Sequence, residues 1–247
     1  MKRAFVLAAG LGTRLKPWTE HHPKALVPVG GEPMLSKVIK RLSEAGFDGV
    51  VVNVHHFADQ IRGYVEKMPL AVGNIGISDE TAELLETGGG LLHAAPLLFS
   101  DGVEDVLVHN VDILSDADLE ALYDAHVAEE NDVTLLVSER DSSRRLWFGP
   151  DGRLEGWQNL KTGEFRPSDY RPSDKSVGYA FSGIYVVNYR AIECMSENGY
   201  SGKFPIMDFF LKEMDDLNLK AFVVDHLNLI DIGKPDTLAK ANLTIGK

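Results

Sequence analysis

Leu7-Ala8-Ala9-Gly10-Leu11-Gly12-Thr13-Arg14-Leu15, followed by Pro23-Lys24-Ala25-Leu26-Val27-Pro28-Val29, is the stretch whose reading decides the fold of this chain. The apolar run over residues 4–8 predicts a buried strand, and the small residues and two glycines after it let the backbone approach a ligand with its N–H groups exposed. Arg14 adds a planar, permanently charged fork and Lys24 a mobile ammonium, the two cation types that neutralise phosphate oxygens. Two commoner phosphate loops do not fit: the dinucleotide fingerprint needs glycine where Leu15 stands, and the P-loop pattern has no match from Gly10 onward.

Outward from this loop, β-rich runs at 50–54, 75–78, 105–110 and 133–138 alternate with helical stretches at 33–45, 59–66, 89–98 and 116–128. In the first helix Leu35, Val38, Ile39 and Leu42 fall at helical spacing, with Gly46 as the stop. Another helix is expected at 205–214, among short strands. Such alternation implies parallel strands joined by right-handed crossovers, with ligand loops gathered at the carboxyl edge of the sheet. The expected fold class is α/β: a single Rossmann-like domain over 1–247 with a mixed, mostly parallel central sheet. Residues 164–176, rich in Pro, Ser, Asp and Arg, read as a mobile surface loop able to close over a ligand. His55 and His56 follow a strand and read as solvated or capping residues; Asp116 and Asp118 read as turn or cap residues.

The formal net charge of −12 argues against a nucleic-acid partner, which calls for a basic face, so cations must be concentrated locally. A single cysteine, Cys194, cannot form an intrachain disulfide. The sequence has no apolar run of membrane-spanning length, and Met1 runs straight into the first strand, so a cytoplasmic protein with no membrane partner is expected. Asp112 ends the apolar run Val106-Leu107-Val108-His109-Asn110-Val111, and Asp231 sits in Leu229-Ile230-Asp231-Ile232-Gly233; an unpaired carboxylate among buried apolar residues is costly, which points to a metal or a basic partner for each.

The pattern L-A-A-G-x-G-T-R-L-x-P-x-T-x-x-x-P-K-x-L-x-P-V, with Pro17, Thr19 and Pro23 in place, resembles the sugar-phosphate nucleotidyltransferase family, and the resemblance spans nearly the full chain. It implies a nucleotide-binding half at about 1–115 and a sugar-phosphate-binding half at about 116–247. It implies that Leu7, Ala8, Ala9, Gly10, Gly12, Thr13, Arg14 and Lys24 hold a nucleoside triphosphate. Glu83-Leu84-Leu85-Glu86-Thr87-Gly88-Gly89-Gly90 resembles the family's base-recognition loop, which assigns the base to Glu83, Thr87, Gly88 and Gly89, with Asn110 also against the nucleotide. Asp112 and Asp231 stand where the family binds Mg2+, and Arg14, Lys24 and Asp112 are the expected catalytic residues. Phe181-Ser182-Gly183 resembles the sugar-contacting strand, so Ser182, Gly183 and Asn159 are the expected sugar-phosphate contacts.

The sequence also departs from the family. The usual N-G-D reads Asn110-Val111-Asp112, the aromatic before the second aspartate is missing, and the Glu-Lys-Pro whose lysine grips the sugar phosphate is absent. Asn159, Lys161, Arg144 and Arg145 are the open substitutes. Within the family the loop at 86–90, the 181–183 strand and the short C-terminus most resemble N-acetylmuramic acid 1-phosphate uridylyltransferases; mannose 1-phosphate guanylyltransferases and glucose 1-phosphate thymidylyl- and uridylyltransferases are the neighbouring alternatives. The implied reaction joins a nucleoside triphosphate to a sugar 1-phosphate with release of pyrophosphate, by a monomer or weak homo-oligomer. Cytidylyl transfer to phosphocholine, with Trp147, Trp157 and Tyr179 as a cage for the quaternary amine, and a non-catalytic nucleotide-sugar sensor are the two other readings.

Overall fold

The computed structural model describes residues 1–68 and 73–245. Strand β1 (Arg3–Leu7) lies inside the sheet, and the short ribbon β2 (Pro28–Val29) and β3 (Glu32–Pro33) leads from it into helix α1 (Met34–Glu44). The chain continues through β4 (Gly49–Val54), α2 (Ala58–Val65) and β5 (Asn74–Asp79), and then α3 (Glu86–Leu98) brings it back to β6 (Asp105–Asn110). Next come β7 (Ile113–Ser115), α4 (Leu119–Ala128), β8 (Val133–Ser138), β9 (Arg144–Phe148), β10 (Leu154–Asn159), β11 (Glu164–Arg166) and the long β12 (Val177–Asn188). Helices α5 (Tyr189–Glu197) and α6 (Ile206–Glu213), strands β13 (Leu219–Val223) and β14 (Leu229–Asp231), and α7 (Pro235–Ile245) complete the order.

The main sheet runs β5-β4-β1-β6-β12-β8-β13, and its strands all point the same way except β12. This is the mixed, mostly parallel sheet expected from the alternating pattern. The amino-terminal part of β12 leaves that sheet to pair with β9, and β10 and β11 extend the flank. The change of partner falls at a register shift between Phe181 and Tyr185, where Gly183 adopts φ +83°. Only glycine takes that conformation without strain.

Side chains alternate across the sheet, and both faces are covered, so the inner strands are apolar throughout. Ala4 and Val6 face one way, with Val50, Val52, Leu107 and Val186, against Leu35, Val38, Ile39 and Leu42 of α1. Phe5 faces the other way, with Val51, Val106, Val108 and Tyr185, against Leu91, Ala94 and Leu98 of α3. The four spaced apolar residues of α1 are at most 2% exposed, worth about 2 kcal/mol each in apolar burial. Gly46 follows with φ +78°, ending the helix as expected. Arg3, 8% exposed, donates to the carbonyls of Leu97 and Leu98 at 2.7 and 3.0 Å, placing a cation at the carboxyl end of α3.

The departures from the expected elements have local causes. Asp118 accepts a hydrogen bond from the Ala121 amide at 2.9 Å and starts α4 at Leu119 rather than 116, and Asp116 accepts from the Asn228 amide; both are cap or turn residues as read. Helix α3 begins at Glu86, so the three glycines lie inside it. Helices α5 and α7 were not anticipated; Asn188 caps α5 through the Arg190 amide, and Pro235 opens α7. The 164–176 segment is not a free loop. It contains β11, Arg166 pairs with Asp208 of α6 at 2.8 Å, and Glu155 of β10 accepts from Tyr170 Oη and Ser176 Oγ at 3.0 and 2.7 Å. Among the described residues no helix is long and apolar enough to cross a membrane.

His109, on β6, is 1% exposed and donates from Nδ1 to the Asn110 carbonyl at 2.8 Å. Burial holds its pKa down, from 6.5 to about 4, so the folded chain keeps it neutral where the unfolded chain takes up a proton. Its stability contribution is present above pH 6.5 and is lost as the pH falls towards 4, to a total on the order of 3 kcal/mol. Urea denaturation between pH 7 and 4 is expected to show this fall, and His109→Gln to flatten it; an unchanged slope in the variant refutes the assignment.

Candidate active site

After β1 the chain builds outward through β4 and β5 and then crosses back to β6 on the other side of β1. Such a reversal opens a crevice at the carboxyl ends of the two strands. Here Leu7 and Asn110 are register partners, and the Val111 amide donates to the Leu7 carbonyl at 3.1 Å. A cavity of about 410 Å³ opens at this point. Its walls come from the end of β1 and its loop (Leu7, Ala9, Gly10), from Lys24, from the end of β6 (Asn110, Val111, Asp112), and from the start of α3 (Leu84, Glu86, Thr87).

Asn53, at 2% exposure on β4, shapes the first loop. Its Oδ1 accepts from the amides of Ala8 and Ala9 at 2.6 and 3.1 Å, which turns the chain away from the strand and leaves Gly10 exposed, with open space where a side chain would stand. Gly12 has φ +62°, and a Cβ there would meet Lys24 Cβ and Thr19 Cγ2 at 2.9 Å. Thr19 Oγ1 donates to the Gly12 carbonyl at 2.9 Å and fixes the turn. The motif's spacing is thus a packing requirement: Gly12 lets Lys24 lie across the loop.

Four of the expected charged residues meet. Lys24 Nζ is ion-paired with Asp112. A Cβ on Gly233 would lie 2.7 Å from both Arg14 Nη2 and Asp231 Oδ1, and 3.3 Å from Lys24 Nζ, so these groups gather around one glycine. The ribbon of β14 with β7 makes the meeting possible: Asp231 registers with Ile113, and the Ile232 amide donates to the Asp112 carbonyl at 3.0 Å. The burial argument for a charged partner holds for Asp112, whose side chain is 16% exposed, but not for Asp231, which is exposed and accepts from the Gly233 amide at 2.7 Å. Thr13 is exposed on the same loop.

The glycine-rich loop works differently from the reading of its sequence. The Gly88 and Gly89 amides both donate to the Phe204 carbonyl, at 2.9 and 3.1 Å, so they are not available to a base edge. A Cβ on Gly88 would strike the Phe204 ring at 2.3 Å, one on Gly89 the Gly202 carbonyl at 2.0 Å, and one on Gly90 Glu80 Oε1 at 2.7 Å. The three glycines seat α3 against the 202–204 segment and Glu80. Thr87 lines the cavity, while its Oγ1 accepts from the Ile206 amide at 2.9 Å. Glu83 is exposed and lies off the cavity wall; Leu84 and Glu86 take its place, Glu86 with the unusual φ of +61°.

The acceptor side also differs. Ser182 is 2% exposed and its Oγ accepts from the Ile184 amide at 3.0 Å, so it locks the β12 bend from inside rather than offering a hydroxyl to a sugar. Gly183 is buried against Asn110: a Cβ there would lie 2.5 Å from Asn110 Nδ2. Asn159 is the register partner of Arg144 on the β9–β10 flank and accepts from the Lys161 amide at 3.0 Å. Trp157 and Tyr179 both register with Leu146 and face its way, whereas Trp147 is the next residue along and faces oppositely. The three aromatics therefore form no cage for a quaternary amine. His55 meets the Glu80 carbonyl at 2.6 Å, a structural contact.

One residue pair was missed. Glu80, 2% exposed, accepts from Asn53 Nδ2 at 2.7 Å through Oε1 and from the Leu85 amide at 3.3 Å through Oε2. Asn53 and Glu80 join both cavity walls. Asn53 was signalled by its polarity inside the apolar run of β4; Glu80, just past the end of β5, carried no such signal.

A family model described as nucleotidyl transferase matches residues 3–247. The chain is 42% identical over 149 residues to an N-acetylmuramate alpha-1-phosphate uridylyltransferase of Caulobacter vibrioides, a match covering 58% of this chain and 60% of that protein. It is 27% identical over 96% of both chains to a D-glycero-alpha-D-manno-heptose 1-phosphate guanylyltransferase of Aneurinibacillus thermoaerophilus. In fold it is similar to the crystal structure of HddC from Yersinia pseudotuberculosis, with a TM-score of 0.76, 24% identity and 99% of each chain covered.

Glu80→Ala leaves the Asn53 amide and the Leu85 N–H without their buried acceptor, and is expected to cost about 2 kcal/mol in chemical denaturation. It is also expected to speed amide hydrogen exchange at Ala8 and Ala9, which Asn53 holds, with Glu80→Gln milder in both. Unchanged exchange in Glu80→Ala contradicts the shared-wall role.

Proposed function

Because this chain belongs to the nucleotidyl transferase family, we propose that it transfers a nucleotidyl group from a nucleoside triphosphate to a sugar 1-phosphate, with UTP and N-acetylmuramic acid 1-phosphate as the substrates. The observation that carries this reading is the gathering of Arg14 Nη2, Lys24 Nζ and Asp231 Oδ1 around Gly233, with Asp112 on Lys24, at the edge of a cavity large enough for a nucleotide. The uridylyl and muramic assignments follow the relative at 42% identity; the guanylyltransferase matched over the whole chain makes GTP the competing donor to test.

In the proposed reaction an oxygen of the acceptor phosphate attacks the α-phosphorus in line. The new P–O bond forms as the bond to the bridging oxygen breaks, and its electron pair leaves with pyrophosphate. An ionised phosphate monoester is already a nucleophile, so no side chain has to remove a proton. The chain's own contribution is position and charge: Gly10 and the turn behind it let the phosphates approach the backbone, Arg14 holds the β- and γ-phosphates, and Lys24 stands between the α-phosphate and the incoming oxygen. The base lies against Leu84, Glu86 and Thr87.

The donor set suits magnesium. Asp112 and Asp231 offer two hard oxygen ligands on adjoining strand ends, and no cluster of three or more acidic, histidine or cysteine ligands is present among the described residues. Magnesium is commonly bound by one or two carboxylates plus substrate phosphates and water. Bound there, it supplies charge neutralisation at the reacting phosphates. A cytoplasmic setting, where nucleoside triphosphates are made, goes with this reading.

The test is pyrophosphate release from a panel of UTP, GTP, dTTP and CTP against sugar 1-phosphates, with magnesium and with EDTA. UTP with N-acetylmuramic acid 1-phosphate is expected to give the highest kcat/KM, and EDTA to abolish release. Lys24→Ala and Asp112→Ala are each expected to keep the fold and lose at least about two orders of magnitude in rate. Release by either variant at the wild-type rate overturns the mechanism, and silence across the panel overturns the reaction in favour of a nucleotide-sugar sensor.

A further inference from the structure

The family's usual lysine for the sugar phosphate has no counterpart here, and the residues nearest to it in sequence do not supply a cation at the cleft. Arg144 is exposed on β9 opposite Asn159, and Lys161 is exposed beyond the end of β10. Arg140 is placed otherwise. It lies two residues past the end of β8, half-buried, and its Nη2 donates to the Phe181 carbonyl at 2.7 Å. Phe181 sits two residues before Gly183, the glycine packed on Asn110 of the cavity wall.

The surroundings of Arg140 call for an anion. Its Nε is buried and has no hydrogen-bond partner, a costly state for a guanidinium N–H. Burial lowers its pKa; the Asp231 carboxylate is close enough to oppose that effect, and Arg145 close enough to add to it. A carboxylate and a second guanidinium thus both lie within electrostatic range of Arg140. Around the two aspartates, Arg14, Lys24 and Arg140 bring three positive charges against two negative ones. Arg14 and Lys24 lie on the side of the triphosphate loop, whereas Arg140 lies on the side of β12.

We propose that Arg140 holds the phosphate of the acceptor, with its Nη2 anchored on the Phe181 carbonyl and its Nε free to donate to a phosphate oxygen. This rests on the sugar 1-phosphate reading of the site. Arg140 thereby replaces a lysine from a different strand, reaching the same kind of anion from the end of β8. A planar fork suits the task, because one edge can hold the protein while another faces the ligand. The sugar carboxylate of an N-acetylmuramic acid acceptor is a second anion that one guanidinium can hold, and the test separates the two.

Steady-state kinetics of Arg140→Gln, Arg140→Lys and the control Arg144→Gln decide the matter. Arg140→Gln is expected to raise the KM for the sugar 1-phosphate at least tenfold and to leave the KM for the triphosphate within twofold. Arg140→Lys is expected to recover part of the loss, and Arg144→Gln to move neither constant. The same rise with N-acetylglucosamine 1-phosphate, which has no carboxylate, supports the phosphate as the ligand; a rise confined to the muramic substrate overturns it. Equal rises in both KM values together with a lowered melting temperature reduce Arg140 to a brace for Phe181 and also overturn it. Should the wild type release no pyrophosphate with any sugar 1-phosphate, the reaction falls separately, and the Arg140 site is read by titrating inorganic phosphate at saturating triphosphate. Weaker phosphate binding by Arg140→Gln supports the anion site, and equal binding refutes it.

Discussion

The cleft depends on a buried amide and carboxylate. Asn53 sits on β4 between the first loop and the start of α3, and Glu80 sits just past the end of β5. Through Asn53 Oδ1 they hold the Ala8 and Ala9 amides, and through Glu80 Oε2 the Leu85 amide, with the 2.7 Å bond between them as the tie. Each is 2% exposed, so each has to be satisfied internally, and few arrangements of the two loops satisfy both at once. The position of one cavity wall relative to the other is therefore set by polar atoms in the core, with the apolar core itself tolerant of small shifts. Arg14, Lys24, Asp112 and Asp231 act at the rim of a cleft whose width is decided beneath them.

Glycines do the complementary work at the places where backbone or charge must come close. Gly12 admits the Lys24 stem, and Gly233 admits Arg14, Lys24 and Asp231 together. In both cases a single added carbon would fall within 3 Å of a neighbouring side-chain atom. The triple glycine of α3 has the same logic turned inward, towards the 202–204 segment, whose Phe204 carbonyl takes two amides of the helix. A run of glycines in a sequence states that something approaches closely; it does not state whether that is a ligand or another part of the chain.

That ambiguity marks how far the sequence could be read. The alternation of β-rich and helical runs, with α1's apolar spacing and Gly46, was sufficient for the α/β order, because strands buried on both faces and amphipathic helices write their periods into short windows. The loop around Gly10, together with Lys24, Asp112 and Asp231, was legible as one charged site because its residue types have few other joint uses. Ser182, Gly88 and Gly89 were misplaced for a common reason: a residue type compatible with ligand contact is equally compatible with an internal hydrogen bond, and only the third dimension shows which neighbour arrives. The segment 164–176 had the composition of a mobile loop, yet Tyr170 and Ser176 converge on Glu155, a partner more than ten residues away. Arg140 was passed over because its value lies in Phe181 and Asp231, which are remote in sequence.

The charge pattern follows from the same geometry. A chain of net charge −12 repels polyanions over most of its surface, yet it gathers Arg14, Lys24 and Arg140 around two carboxylates. Low-dielectric walls concentrate the field of those cations inside the cleft, while the acidic exterior is screened within about 10 Å at ordinary ionic strength. An anion is thus held where its charge meets several converging donors, and is repelled elsewhere. The strand order makes the concentration possible without a basic face. The carboxyl ends of β1, β6 and β8 lie on one edge of the sheet because those strands are parallel, and the β7–β14 ribbon adds Asp231 to the same edge. Inverting any one of those strands would carry its terminal charge to the opposite edge, so the parallel topology itself fixes where opposing charges can meet.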